Sequence, residues 1–177
     1  MALAERLRIS PGVPLLLAVF VWLASPLLLG AILSAAVCHE LGHWLVLRRV
    51  GGRIQRLHIT VFGAEMQVDD RRISYGGELL AAAAGPVSNL LLAAALGLLG
   101  RWWEPMYLFA GAQLVLGAFN LLPALPLDGG RILWLALAWL TEPYTAQRVL
   151  SAVSLAVSLA LLLGGGGLIW RLGGSPF

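Results

Sequence analysis

Residues 30–47 read GAILSAAVCHELGHWLVL, an apolar run whose only charged side chain is Glu40, set between His39 and His43. A helix needs about 20 apolar residues to cross a bilayer, and this run is close to that length. Glu40 is also the only charged residue between Pro14 and Leu47. An ionisable group at membrane depth costs at least about 2.5–3.5 kcal/mol. Three such groups together need a compensating partner, and a metal ion is the simplest one. On a helix, residues four apart share a face, so the His39 and His43 imidazoles can bind one zinc ion. Glu40 follows the first of them, where a carboxylate can take a proton from water activated by the metal.

The rest of the chain places this run in a membrane protein. Of 177 residues 59% are apolar and 12% charged, and the mean hydropathy is +0.85. Soluble domains carry about 25% charged residues, so half that share excludes an ordinary water-soluble globule. The same composition excludes disorder, and a single cysteine excludes a disulfide framework. All twelve basic residues are arginine, and a net charge of +3 so scattered does not suggest nucleic acid.

Apolar runs fall at 13–29, 30–47, 79–99, 106–122, 132–140 and 149–170. The expected fold class is an all-α polytopic membrane protein of about six transmembrane helices. The fifth run is short, and Gly164–Gly167 interrupts or ends the last. If all six cross, ten arginines (Arg6, Arg8, Arg48, Arg49, Arg53, Arg56, Arg71, Arg72, Arg131 and Arg171) share one side and Arg101 and Arg148 the other. The positive-inside rule makes the ten-arginine side cytoplasmic, with both termini there. Arg6 and Arg8 before an apolar run resemble a signal peptide, and residues 34–38 resemble a lipoprotein cleavage site. Val37 suits such a cut poorly, and cleavage would remove a span that pairs with the next, so the first span is expected to be retained. Most of the seven tryptophans stand near run ends, as interfacial anchors do.

The long polar connection is 48–78. Within it Leu57, Ile59 and Val61 alternate, Gly63-Ala64 follow, and 65–68 continue. This pattern predicts a small β-hairpin over 54–68 at the cytoplasmic interface.

Zinc held by two histidines needs a third protein ligand and an open position for water. Asp128 is the leading candidate, in the stretch from Phe119 to Gly130 (FNLLPALPLDGG). Pro123 and Pro126 end the fourth helix, and Gly129-Gly130 let backbone turn tightly. Irregular backbone at membrane depth is tolerated where it lines a cavity. Two crossings after the His39–His43 segment return the chain to the same side at Asp128, so the ligands can meet. Asp128 can also cap a helix starting near Arg131, and the two roles are compatible. Glu65 is the rival third ligand, placed on the water-facing hairpin.

HExxH in an apolar helix, Gly85-Pro86-Val87-Ser88-Asn89, and the distal Asn120-x-x-Pro123 and Leu127-Asp128-Gly129-Gly130 resemble the site-2 protease family of intramembrane zinc metalloproteases (peptidase family M50). The likeness covers about 31–131 and is greatest to the small bacterial branch that includes the stage IV sporulation protease. It implies His39, His43 and Asp128 as zinc ligands and Glu40 as the catalytic acid/base. It also implies cleavage of peptide bonds in or near the membrane segment of a membrane-associated substrate, as in regulated intramembrane proteolysis. A single catalytic domain over 1–177 is expected, without PDZ or CBS modules.

Asn89 and Asn120 stand in apolar surroundings, where an amide can hold substrate backbone or an oxyanion, or bond between helices. His58 reads as an exposed strand residue, and Cys38, one helical step from His39, as packing. Gly85-Pro86 either kinks or starts a helix. A helical substrate must unwind to be cut, and the hairpin edge at 54–68 can clamp it by strand addition. The first span, or the fifth and sixth, can gate its lateral entry. The alternative function is a catalytically silent pseudoprotease or chaperone of the same fold, against which the intact Glu40 argues. A transporter with broken helices lacks the expected repeat symmetry.

Overall fold

The computed structural model describes residues 7–60, 63–69 and 73–173. Arg6, Val61, Arg71 and Arg72, used above in the charge count and the strand pattern, lie outside the described residues. Among the described residues the protein is nearly all helical, with six helices: α1 (Gly12–Leu23), α2 (Pro26–Arg49), α3 (Tyr75–Leu99), α4 (Pro105–Asn120), α5 (Asp128–Leu140) and α6 (Pro143–Gly173). Two compact units divide the chain, Met1–Phe119 and Asn120–Phe177.

Among the described residues, three helices are long and apolar enough to cross a membrane: Pro26–Arg49, Tyr75–Leu99 and Pro143–Arg171. The other three have 12, 16 and 13 residues. At 1.5 Å per residue these reach about 18, 24 and 20 Å, against a hydrocarbon core of about 30 Å.

In the first unit, the boundary between the first two helices falls earlier than the expected 29/30 junction. Ala24 is extended, the Ser25 hydroxyl accepts a bond from Leu28 N–H (3.2 Å), and Pro26 occupies the first helical turn. A capping serine followed by proline starts a helix because both suit the unpaired donors of a first turn. Apolarity alone conceals that signal. Arg48 and Arg49 occupy the last turn of α2, where cations favour the negative end of the helix dipole.

The 48–78 connection supplies β2 (Arg53–Thr60) and β3 (Gly63–Asp69), the expected hairpin, to a three-stranded sheet whose remaining strand, β1 (Leu7–Ile9), precedes α1; the order is β1, β2, β3. β1 pairs parallel with β2, and β2 pairs antiparallel with β3, with Thr60 opposite Gly63 and an irregularity between Ile54 and Arg56.

α2 and α3 pack closely because small residues line both. Ala31, Ala35, His39 and Gly42 are buried on α2, and Ala81, Gly85, Asn89 and Ala93 on α3. The spacing of three or four residues makes each set one face. Stripes of small residues let membrane helices approach, where packing rather than the hydrophobic effect drives association. A methyl group on Gly42 would stand 2.7 Å from the Ala84 carbonyl oxygen. The Ser88 hydroxyl lies 2.7 Å from Gly85 O and 3.2 Å from Cys38 O, which seats Cys38 in the contact. α4 joins through Gly117, whose missing methyl group would lie 2.9 Å from Asn89 Cβ and 3.1 Å from Pro86 O.

In the second unit, α5 and α6 pack through Leu135, Ala146 and Leu150, all buried. Gly164–Gly167 do not interrupt α6, which runs unbroken to Gly173. Helical hydrogen bonds are the satisfaction available to backbone in lipid, and that outweighs the modest helix preference of glycine.

Candidate metal centre

His39 and His43 sit one turn apart on α2, with ring centroids 4.7 Å apart and planes at 80°. Each ring is anchored through Nδ1 to an oxygen on α3. His39 Nδ1 donates to Asn89 Oδ1 at 2.6 Å, and His43 Nδ1 donates to Ala81 O at 2.7 Å. A neutral imidazole carries one N–H. With that proton on Nδ1, the lone pair of each ring is on Nε2.

The two Nε2 atoms lie 3.2 Å apart. Two lone-pair nitrogens at that distance repel one another, and a cation placed between them satisfies both. Zinc–nitrogen bonds of about 2.0–2.1 Å at a tetrahedral angle put two nitrogens about 3.3–3.4 Å apart. The donors and their spacing therefore suit zinc. Oxygen partners on the far ring nitrogens are the usual means of orienting zinc-binding histidines.

Gly85-Pro86 explains how α3 reaches these rings. Pro86 lies inside α3 and has no N–H for the carbonyl of Ala82. One position earlier, Ala81 O accepts from His43. Gly85 faces the same ring, and a methyl group there would collide with His43 Nε2. The sequence reading of Gly85-Pro86 as a kink or a helix start resolves into a proline-bearing turn inside a continuous helix.

Asp128 is the first residue of α5, following Leu127, whose extended backbone makes it the N-cap without a side-chain bond. The helix thus begins at Asp128 itself, and the aspartate does not act as a cap for a helix starting near Arg131. Gly129 and Gly130 have a different use from tight turning. Methyl groups on them would strike the Leu121 and Leu122 carbonyls and the Ala124 carbonyl, at 2.7 Å in the last case. The proline-broken stretch 121–127 thus lies directly on the first turn of α5, and Leu125 N–H donates to Ser154 Oγ at 3.0 Å.

His39, His43 and Asp128 each offer one ligand atom, all within 4.8 Å of one another, and together can hold a metal ion. Glu40, half-buried, follows His39 on α2. Glu65 falls on β3, with His58 opposite it on β2. Asn120 is the half-buried last residue of α4.

Asn89 is fully buried against His39. Its amide nitrogen donates to Ala35 O at 3.0 Å and to Gln113 Oε1 on α4. Both amide protons are thereby engaged, which leaves none for a substrate oxyanion. Gln113, at 2% exposure, was not singled out from sequence. The signal was available, since it is one of two amides in the apolar run 106–122, with Asn120, and the one at its middle.

The profile of peptidase family M50 matches residues 98–164, the stretch holding α4, the proline-broken connection and Asp128. The chain is 29% identical over 138 residues to a zinc metalloprotease of Methanocaldococcus jannaschii, covering 74% of this chain and 40% of that protein. It is also 29% identical over 155 residues to the stage IV sporulation protein FB of Bacillus subtilis, covering 80% of this chain and 54% of the relative. The solved site-2 protease from Methanocaldococcus jannaschii superposes with a TM-score of 0.72 at 26% identity, over 90% of this chain and 79% of that one. The chain carries a peptidase family M50 domain. The likeness to the site-2 protease extends over both units, whereas the M50 match at 98–164 contains Asp128 but not His39 or His43. The chain spans 40% and 54% of the length of the two curated relatives named here.

Proposed function

We propose that this chain is an intramembrane zinc metalloprotease that hydrolyses peptide bonds in or near the transmembrane segment of a membrane-associated substrate, in the manner of regulated intramembrane proteolysis. The observation that carries the reading is the pair of Nε2 atoms 3.2 Å apart, joined by Asp128 as a third ligand, with Glu40 next to His39. Within a single catalytic domain whose core is about 31–131, His39, His43 and Asp128 hold the zinc. When bound, zinc supplies Lewis acidity that polarises the scissile carbonyl and acidifies water.

Glu40 then performs the proton work. Its carboxylate accepts the proton of the attacking water and delivers it to the leaving nitrogen. A silent pseudoprotease of the same fold does not need that carboxylate, and its presence favours turnover. Asn120 is the amide we assign to the developing oxyanion, while Asn89 serves the His39 ring. A substrate helix must open before its peptide bonds are accessible. An extended substrate strand can add to the edge of β3, because β1 already pairs along β2.

The lipid bilayer surrounds the domain in this reading, with the chain crossing it about six times and α1, α4 and α5 completing the set. With six crossings, the ten-to-two split of the arginines supports a cytoplasmic side for both termini and the active site, in what we take to be a bacterial cell membrane. The test is purified protein with a membrane-embedded model substrate. Glu40→Gln is expected to retain zinc and lower kcat by about 10²–10⁴-fold. Cleavage equal to that of the unsubstituted chain would remove the protease reading.

A further inference from the structure

Three buried polar side chains, on three helices, form one continuous line that ends on a zinc ligand. Gln113 on α4 accepts through Oε1 from Asn89 Nδ2 on α3, and Asn89 Oδ1 accepts from His39 Nδ1 on α2. All three are at most 6% exposed. Resting on the zinc-protease reading above, we infer that Gln113 is a positioning residue for His39, acting through Asn89 to set which ring nitrogen faces the metal.

The direction of the line follows from donor and acceptor counts. A primary amide has two N–H donors and one carbonyl oxygen. Gln113 Oε1 and Ala35 O take the two Asn89 protons, so the Asn89 nitrogen points away from His39 and its oxygen toward it. Without the Gln113 acceptor, Ala35 O alone holds the amide, and a rotated Asn89 would present N–H to the ring. His39 would then carry its proton on Nε2, where the metal has to bind. Acceptor chemistry at position 113 thus selects the Nδ1–H tautomer two residues away along the line.

Packing keeps the line in register. Gly117, one turn after Gln113 on α4, brings that helix against Asn89 Cβ and Pro86 O. Gln113 is thereby presented to Asn89 by a backbone contact that no larger residue at 117 permits. His43 has no such dependence, since its Nδ1 partner is the Ala81 backbone carbonyl. Side-chain substitution can disturb one ligand of the pair and leave the other held.

The experiment measures zinc affinity of the full chain in detergent micelles by competition with a chromophoric chelator, with helical circular dichroism as a check of folding. Gln113→Leu is expected to weaken zinc binding about 10–100-fold, the usual effect of losing an outer-shell partner. Gln113→Glu keeps an acceptor oxygen at the same reach and should bind within a few-fold of the unsubstituted chain. Gln113→Asn keeps the polarity but withdraws the acceptor by one methylene, and should weaken binding as leucine does, which serves if Gln113→Leu does not fold. In an Asn89→Ala background Gln113→Leu should cost nothing further. Zinc affinity unchanged in Gln113→Leu and Gln113→Asn, or full additivity with Asn89→Ala, would overturn the inference and leave the protease reading standing. Failure of the unsubstituted chain to bind zinc would take down both.

Discussion

α2 with α3, and the outer length of α6, are apolar helices of membrane-crossing length put to opposite uses. The α2–α3 contact buries histidine, asparagine and glycine and leaves leucines such as Leu41, Leu45 and Leu91 exposed. α6 buries Ala146 and Leu150 against α5 and then exposes Leu162, Leu163, Ile169 and Trp170. In a bilayer an exposed leucine has no reason to hide, since lipid tails are as apolar as it is. Polar groups are the ones driven inward, and small residues let the backbones close around them. Hydropathy therefore identifies helices of this kind, while polar and small residues decide which of them meet.

Glycine tests that difference most sharply. Gly85→Ala places a methyl group on His43 Nε2, and should lower zinc affinity by at least about 100-fold; retention of tight zinc in equilibrium dialysis would break the account of the α2–α3 contact. Next in size, Leu150→Ala should cost about 2–5 kcal/mol of stability, whereas Leu162→Ala, at a position 71% exposed, should be close to neutral in the same denaturation assay. Equal losses at the two positions would mean that α6 is buried along its length.

Gly42→Ala presses on Ser88 and the Ala84 carbonyl, and an overpacked contact of this type costs about 1–3 kcal/mol. The loss should appear as a lower thermal midpoint in detergent. Gly165→Ala is the smallest effect and has the opposite sign. No atom lies within 4 Å of the added methyl group, so the higher helix propensity of alanine should stabilise α6 by up to about 1 kcal/mol. Destabilisation by this substitution would reveal a close neighbour of α6.

Much of the centre was legible because its chemistry is local. Two histidines four apart share a helix face whatever surrounds them, and a lone Glu40 in an apolar run stands out by residue type alone. Asp128 was legible for the same reason, as a charge beside proline-broken backbone. Helix ends were harder: Ser25-Pro26 is a local start signal submerged in an apolar run, and Gly164–Gly167 resembles a break although lipid favours continued hydrogen bonding. The short length of α1 was also concealed, because hydropathy continues past Leu23, where that helix ends, into α2; the fifth segment, whose apolar run is nine residues, is instead extended to 13 by a first turn starting at Asp128.

What depended on tertiary structure is the orientation of each group. Nothing in the chain order of Asn89 and Gln113 says that one amide aligns the other, because they are 24 residues apart and meet only where Gly117 lets α4 approach α3. The sequence by itself determined an apolar, membrane-type chain with an HExxH helix, and made Asp128 the leading candidate for a third ligand, since residue type, period and the cost of burying charge are local properties. Only the packed structure decided that Asn89 turns its oxygen to His39, that His43 rests on a backbone carbonyl beside Pro86, and that Gly129-Gly130 admit a loop. The physical reason is that a hydrogen bond between distant residues depends on distance and direction, and these exist only once the helices have packed.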